Sequence, residues 1–224
     1  MGISASSARQ SVSDLPNEIL IEIFVACVEA VKFTLDPKSA PWVLARVCRL
    51  WRNICLATPV LWSRLPTIAL DRQDVSPWHL TRALALSSPE HLDMSLSLRE
   101  TEERTSFPLF GIIIPHLDRC RSLALTISYA VLSELADSHR DFQHLEELHL
   151  ILALPPYRRS PRRTFDVSRS APLLSRFTAS FQRSGDDFDS LDAYVRINWS
   201  KLTHLTLECI PFHRVYSILQ NTPA

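Results

Sequence analysis

The chain has 224 residues, 46% of them hydrophobic and 21% charged, and its 24 basic residues are balanced by 24 acidic ones. This length predicts one or two domains of ordinary globular composition, and no apolar run is long enough to span a membrane. Zero net charge argues against a nucleic-acid partner, because such binding depends on basic side chains that neutralise phosphates.

An amphipathic helix is predicted to begin at Pro16. Proline suits the first helical position, where its missing N–H costs nothing, and Glu18 then meets the positive end of the helix dipole. Apolar residues recur at three- and four-residue steps on one side of the segment: Pro16, Ile19, Leu20, Ile23, Phe24 and Cys27. This spacing predicts one apolar face and one solvated face.

A second amphipathic segment predicts one or two further short helices, with a bend near Cys48. Its apolar side carries Leu44, Val47, Cys48, Trp51, Ile54 and Cys55. The run ends at Thr58-Pro59, because the residue before a proline is driven out of the α region. Helices this few make a thin core, so we expect a partner or a following domain to cover their apolar faces.

The two segments together resemble the F-box family, whose pattern is Leu-Pro-x-Glu-Ile/Leu-Leu-x-x-Ile-Phe followed by Val-Cys-x-x-Trp-Arg. The matching residues are Leu15, Pro16, Glu18, Ile19, Leu20, Ile23, Phe24, Val47, Cys48, Trp51 and Arg52. The resemblance implies an all-α three-helix module over residues 14–63, after a flexible tail at residues 1–13. One difference is a longer connection between the first two helices, over residues 28–41.

The resemblance also implies that the module docks on the Skp-type adaptor of a cullin-RING ubiquitin ligase. The residues implied to bind the adaptor are Leu15, Pro16, Ile19, Leu20, Ile23, Phe24, Val47, Cys48 and Trp51. Leu15 and Pro16 are expected to anchor the edge of the interface. The four apolar residues that follow them in the first helix are expected to divide between adaptor contact and internal packing, and the sequence leaves that division open.

Downstream of Trp62, helical segments alternate with short strand-like strings. The clearest strings are HLEELHL at residues 144–150 and KLTHLTL at residues 201–207, with apolar residues at the first, fourth and sixth positions of a frame. The middle positions of six such strings are Ile68, Met94, Leu123, Leu148, Phe177 and Leu205. Their spacing falls within the roughly 20–29-residue period of leucine-rich repeats.

Residues 64–224 therefore resemble a degenerate leucine-rich-repeat array, with candidate helices at residues 78–86, 107–117 and 131–142. The expected fold is α+β overall: the helical module followed by an α/β solenoid whose strands line a concave face. The family's asparagine ladder is missing, so a generic α/β domain is the alternative. Residues 212–220 resemble a helix before a further repeat. Either this helix caps the array or the array is incomplete at its C-terminal end, and we expect the second.

The sequence carries no catalytic constellation. Three glycines in the whole chain exclude a Rossmann fingerprint and a P-loop, which bring backbone close to phosphate. His144 and His149 are five residues apart, which fails the spacing of a helical zinc site, and we expect partly exposed strand histidines. We therefore predict a chain that is not an enzyme and that uses no metal and no cofactor.

Three segments carry weaker signals. Arginines around Ser160-Pro161 indicate an exposed insertion. The alternatives are a nuclear-import or phosphate-contacting patch, or a phosphorylation site whose phosphate those arginines would pair with. Acidic residues from Asp186 to Asp192 indicate a surface turn rather than a calcium loop. Gly2 matches a myristoylation pattern, although a flexible tail is the favoured interpretation.

Two functions follow. The first is a substrate-receptor subunit of an SCF-type ubiquitin ligase, which binds the adaptor and through it a cullin, and holds a protein substrate on the repeat region. The alternative is a non-ligase scaffold that retains an F-box-like fold. Five cysteines without paired spacing and the lack of a secretory signal favour the cytoplasm or the nucleus. Neither nucleic acid nor membrane is expected as a partner.

Overall fold

The computed structural model describes residues 15–30, 35–70, 75–98, 108–138, 141–153, 164–182 and 191–208. Five of the sequence predictions concern residues outside these ranges. They are the flexible tail at residues 1–13, the myristoylation pattern at Gly2, the arginine-rich segment around Ser160, the acidic residues Asp186 to Asp189, and the helix expected at residues 212–220. None of the described helices has the length and apolar character needed to cross a membrane.

The N-terminal part is helical, as the sequence predicts. It contains α1 (Asn17–Ala30), α2 (Leu44–Val47), α3 (Arg49–Ala57) and a 3-10 helix (Pro59–Trp62). The predicted bend at Cys48 is confirmed, because this residue is extended (φ −154°, ψ 176°) and separates α2 from α3. Its Sγ accepts a hydrogen bond from the backbone N–H of Trp51 at 3.5 Å, which satisfies a donor that the first turn of α3 leaves free.

The rest of the described chain is mixed helix and sheet. The strands are β1 (Arg64–Ala69), β2 (Leu92–Ser97), β3 (Cys120–Ser128), β4 (Glu147–Ala153), β5 (Phe165–Asp166), β6 (Arg176–Gln182), β7 (Val195–Arg196) and β8 (His204–Glu208). The helices between them are α4 (Pro77–Leu86), α5 (Pro108–Ile113), α6 (Tyr129–Asp137), α7 (Val167–Ser170) and α8 (Leu191–Tyr194). Two further 3-10 helices span Ile114–Arg119 and Trp199–Lys201.

Six strands form one parallel sheet in the order β1-β2-β3-β4-β6-β8, which is also their order along the chain. A separate two-stranded parallel sheet pairs β5 with β7. Parallel neighbours that follow one another in sequence require a crossover after every strand, and crossovers of one hand all lie on the same face of the sheet. The fold therefore places its connecting helices on one side of the large sheet.

Burial along the strands agrees with one covered face. In β4, Leu148, Leu150 and Leu152 are buried, whereas His149 is exposed and Ile151 is half-buried. Parallel sheets that are covered on both faces carry continuous apolar runs instead of this alternation. The second face of the large sheet is consequently open to solvent within the described part of the chain.

The register confirms most of the predicted frame. Met94 pairs with Leu123, Leu123 with Leu148, Leu148 with Phe177, and Phe177 with Leu205. The middle position predicted for the first string is wrong by two residues, because Ile68 pairs with Leu96 instead of Met94. The register shifts between Arg64 and Thr67, a stretch that contains Pro66, which has no N–H to donate to a ladder.

Two of the three predicted helices between the strands needed correction. The segment predicted at residues 107–117 is α-helical only to Ile113 and continues as a 3-10 helix, since Pro115 clashes with a further α-turn. The segment predicted at residues 131–142 ends at Asp137, where the Ser138 hydroxyl donates to the Leu135 carbonyl at 2.7 Å. Phe142 lies beyond this helix, and its ring packs 5.6 Å from that of Phe165.

Candidate protein-docking surface

Helix α1 has a buried apolar side and an exposed apolar side. Leu20 and Phe24 are fully buried and Val28 is 6% exposed, at the four-residue steps that place side chains on one face. Ile19 and Ile23 are each 42% exposed, and Leu15 is 38% exposed just before the helix. The apolar side chains that the sequence could not divide therefore fall into a buried set and an exposed set.

The buried set is held by helix α3. The ring centroids of Phe24 and Trp51 lie 4.8 Å apart with their planes at 59°, a tilted contact that joins the two helices. Leu20 belongs to the same apolar core. Neither side chain is exposed, so internal packing accounts for both of them, and the adaptor-binding role that the resemblance implies for Leu20 and Phe24 stays a prediction.

The other implied adaptor-binding residues differ in exposure. Pro16 is exposed, and Val47 is 58% exposed at the end of α2. Cys48 and Trp51 are half-buried. The Cys48 Sγ accepts a hydrogen bond from the Trp51 N–H, and the Trp51 ring contacts the ring of Phe24. The exposed members of the predicted set are thus Leu15, Pro16, Ile19, Ile23 and Val47.

Exposed apolar side chains are concentrated in this part of the molecule. Nine large hydrophobic residues are exposed within the described ranges: Leu15, Ile19, Ile23, Val43, Val47, Leu56, Val60, Trp78 and Leu173. Seven of the nine lie between residues 15 and 60, although the described residues extend to 208. Exposed hydrophobic residues concentrated in this way are typical of surfaces that bind other proteins.

Sequence reasoning missed Val43, Leu56 and Val60 as members of this surface. Val43 precedes α2, Leu56 lies near the end of α3, and Val60 lies in the following 3-10 helix. Residues 49, 52, 53 and 56 lie on one side of α3, because they are three or four positions apart, and all of them are exposed. An apolar Leu56 on this otherwise polar side was the signal in the sequence that could have found it.

Trp62 and Trp42 pack together in the core of the N-terminal part, beneath the exposed hydrophobic residues. The Trp62 side chain is fully buried, and its indole Nε1–H donates to the Cys55 carbonyl at 2.8 Å. The ring of Trp42 packs edge-on against it at 4.8 Å and also lies 6.2 Å from the exposed ring of Trp78. These aromatic contacts fix the segment that leads into α2, and with it the position of Val43.

The reactivity of the cysteines in the described residues tests the packing of α3 and β3. Burial raises the pKa of the Cys55 thiol to about 11 and that of the Cys120 thiol to about 12, whereas Cys27 and Cys48 are half-buried. The reactive form of cysteine is the thiolate. With Cys209 replaced by serine, we expect a maleimide at pH 7.5 to label Cys27 and Cys48 before Cys55 and Cys120, as measured by peptide mass spectrometry.

Labelling in 6 M guanidinium chloride is the control, in which all four of these thiols should react at similar rates. Labelling of Cys120 in the native chain as fast as that of Cys48 would contradict the packing of β3.

The described residues offer little for catalysis. They hold no group of three or more histidine, cysteine, aspartate or glutamate residues that could bind a metal ion. An open cleft of about 460 Å³ lies beside α7 and is lined by Ser168, Arg169, Arg196, Ile197, Asn198, Trp199 and Ser200, a set that pairs no nucleophile with a base. His149 lies on β4 as predicted, but His144 precedes that strand, and its ring lies 4.4 Å from that of His91.

The open face of the large sheet is a second candidate surface. Ion pairs cross its strands near their N-terminal ends: Arg121 with Asp93 at 2.9 Å, and Arg176 with Glu147. Farther along the strands, the in-register row is composed of Thr67, Ser95, Ala124, His149, Thr178 and Thr206. In this row Thr67, His149 and Thr206 are exposed, and Ser95, Ala124 and Thr178 are half-buried.

Among the comparisons with known proteins, one finds a match, and it lies in the N-terminal part of the chain. No curated protein and no solved structure matches the chain. A family model described as F-box-like matches residues 12–66. The chain therefore carries an F-box-like domain, and the cluster of exposed hydrophobic residues from Leu15 to Val60 lies entirely inside it.

Proposed function

We propose that this chain is the substrate-receptor subunit of an SCF-type ubiquitin ligase. F-box domains typically bind Skp-type adaptors and are generally non-catalytic. The observation that carries the proposal is the concentration of exposed hydrophobic side chains in the F-box-like residues, above a core that Leu20 and Phe24 already complete. In this proposal the adaptor covers Leu15, Pro16, Ile19, Ile23 and Val47, and connects the chain to a cullin.

The region after the F-box-like domain is proposed to be a leucine-rich-repeat-like solenoid that holds the substrate. Supporting this is a sheet of six parallel strands in sequential order. Steps of 25 to 29 residues separate successive register partners from Met94 to Leu205. The open face with its row of threonine, serine and histidine side chains is the surface proposed to contact the substrate.

A binding measurement with a purified Skp-type adaptor tests the proposal. The variant Leu15→Ala plus Ile19→Ala removes two exposed side chains, and we expect it to weaken adaptor binding by at least about 30-fold, or roughly 2 kcal/mol. Isothermal titration calorimetry would measure the affinity. The folded state should be unaffected, because both residues are about 40% exposed.

Leu173→Ala is the control, since Leu173 is an exposed leucine (54%) outside the F-box-like domain. It should leave adaptor affinity unchanged. A monodisperse unaltered chain that does not bind the adaptor, or a double variant that binds at full affinity, would contradict the ligase role. The first of these outcomes would favour the non-ligase scaffold.

A further inference from the structure

The F-box-like domain separates its charges into two sets along the chain. Residues 37–70 contain five basic residues and no aspartate or glutamate, in a chain where 24 of 224 residues are acidic. Helix α1 shows the opposite pattern, with Glu18, Glu22 and Glu29 and no lysine or arginine between its first and last residues. Helix α1 is therefore net negative and residues 37–70 are net positive.

Tertiary contacts neutralise only part of this separation. Arg64, at the start of β1, pairs with Glu29 at 2.7 Å and lies 3.8 Å from Asp93. Within the described residues, Arg46, Arg49 and Arg52 have no carboxylate partner, and all three are exposed. Glu18 and Glu22 are likewise exposed and unpaired on α1. Within the described residues, these five unpaired side chains lie on helices that also carry exposed hydrophobic residues.

The free arginines are adjacent to apolar surface. Arg52 donates from Nε to the Ala45 carbonyl at 3.1 Å, which holds its guanidinium against α2 next to Arg46. Arg46 is followed directly by Val47, which is 58% exposed, and Arg49 and Arg52 share the solvent side of α3 with Leu56. This combination of cations and hydrophobic side chains is typical of the rim and core of a protein interface.

We propose that α2 and α3 dock on an acidic protein surface, whose carboxylates face Arg46, Arg49 and Arg52. The inference rests on the proposed function, in which this surface belongs to the Skp-type adaptor. A protein fits better than a nucleic acid, because Val43, Val47 and Leu56 need an apolar partner, and because Glu18 and Glu22 would repel phosphates. The unpaired charges of opposite sign on α1 and α3 also specify a single docking orientation.

Association kinetics with the purified adaptor test this inference. Charge pairs at the edge of an interface act mainly on the association rate and are screened by salt. We expect Arg46→Glu plus Arg49→Glu to lower the association rate about 10- to 100-fold at 20 mM salt, with most of the difference lost at 500 mM. Arg52 is left unchanged because its hydrogen bond to Ala45 supports the fold.

Two further variants separate the charge effect from other causes. Arg46→Gln plus Arg49→Gln removes the charges without reversing them and should give a smaller decrease in the association rate with the same salt dependence. Arg169→Glu reverses an exposed arginine far along the chain and should leave the association rate within about twofold of the unaltered protein.

The outcomes distinguish this inference from the proposed function. If Leu15→Ala plus Ile19→Ala abolishes adaptor binding while the reversed arginines associate at the unaltered rate at low salt, the acidic partner surface is wrong and the ligase role stands. If the unaltered chain does not bind the adaptor, both proposals fail. Tighter binding to a DNA duplex than to the adaptor would also overturn the inference.

Discussion

Phe24→Ala is expected to lower the free energy of unfolding by about 3–5 kcal/mol, whereas Ile23→Ala should change it by less than about 0.5 kcal/mol. The two residues are neighbours in α1, but Phe24 is fully buried against Trp51 and Ile23 is 42% exposed. Urea denaturation followed by tryptophan fluorescence would measure both values.

Adaptor affinity should show the opposite pattern. Ile23→Ala is expected to weaken binding about tenfold in a chain that remains fully folded. Phe24→Ala should bind with nearly unaltered affinity at 10 °C, provided that circular dichroism shows the native helical content. Equal losses of stability in the two variants would contradict the separation of α1 into a packing side and a docking side.

Leu150→Ala is expected to destabilise the chain by about 2–5 kcal/mol, because Leu150 lies at the centre of the covered face of the large sheet. It is 1% exposed, and its register partners are Leu125 in β3 and Ala179 in β6. His149→Ala, one residue earlier on the same strand, removes a side chain from the open face. Its effect on the free energy of unfolding should be below about 0.5 kcal/mol.

Thermal denaturation by calorimetry would compare the two sheet variants. His149→Ala could instead lower the stability as much as Leu150→Ala does. The open face of the large sheet would then be packed against another part of the chain. The proposed substrate surface would then be lost, while the adaptor-docking surface at the N-terminus would be unaffected.

Much of the local structure could be predicted from the sequence, because local rules govern it. Pro16 and Glu18 mark the start of α1, and Thr58 ends α3 ahead of Pro59. The apolar frame placed Met94, Leu123, Leu148, Phe177 and Leu205 in register across five strands. Alternation along a strand and the helical period are properties of the backbone, and both can be read from residue spacing alone.

The predictions of a helix end and of a strand register were wrong where a contact with a distant residue determines the local structure. Phe142 continued the apolar pattern of a helix, but its packing against Phe165, 23 residues later, requires a chain that has already left that helix. Ile68 matched the apolar frame, but the irregular pairing of β1 with β2 shifts its partner by two residues. Spacing in one segment contains no information about the element that packs against it.

By itself, the sequence determined the helical period of the N-terminal segments, the resemblance to an F-box and the separation of charge between α1 and residues 37–70. Tertiary structure alone decided which apolar residues are buried and which stay exposed. Leu20 and Phe24 are covered by α3, while Ile19 and Ile23 remain uncovered. The physical reason is that a helix whose apolar stripe is wider than its contact with the next helix must expose the remainder, and only packing defines where that contact ends.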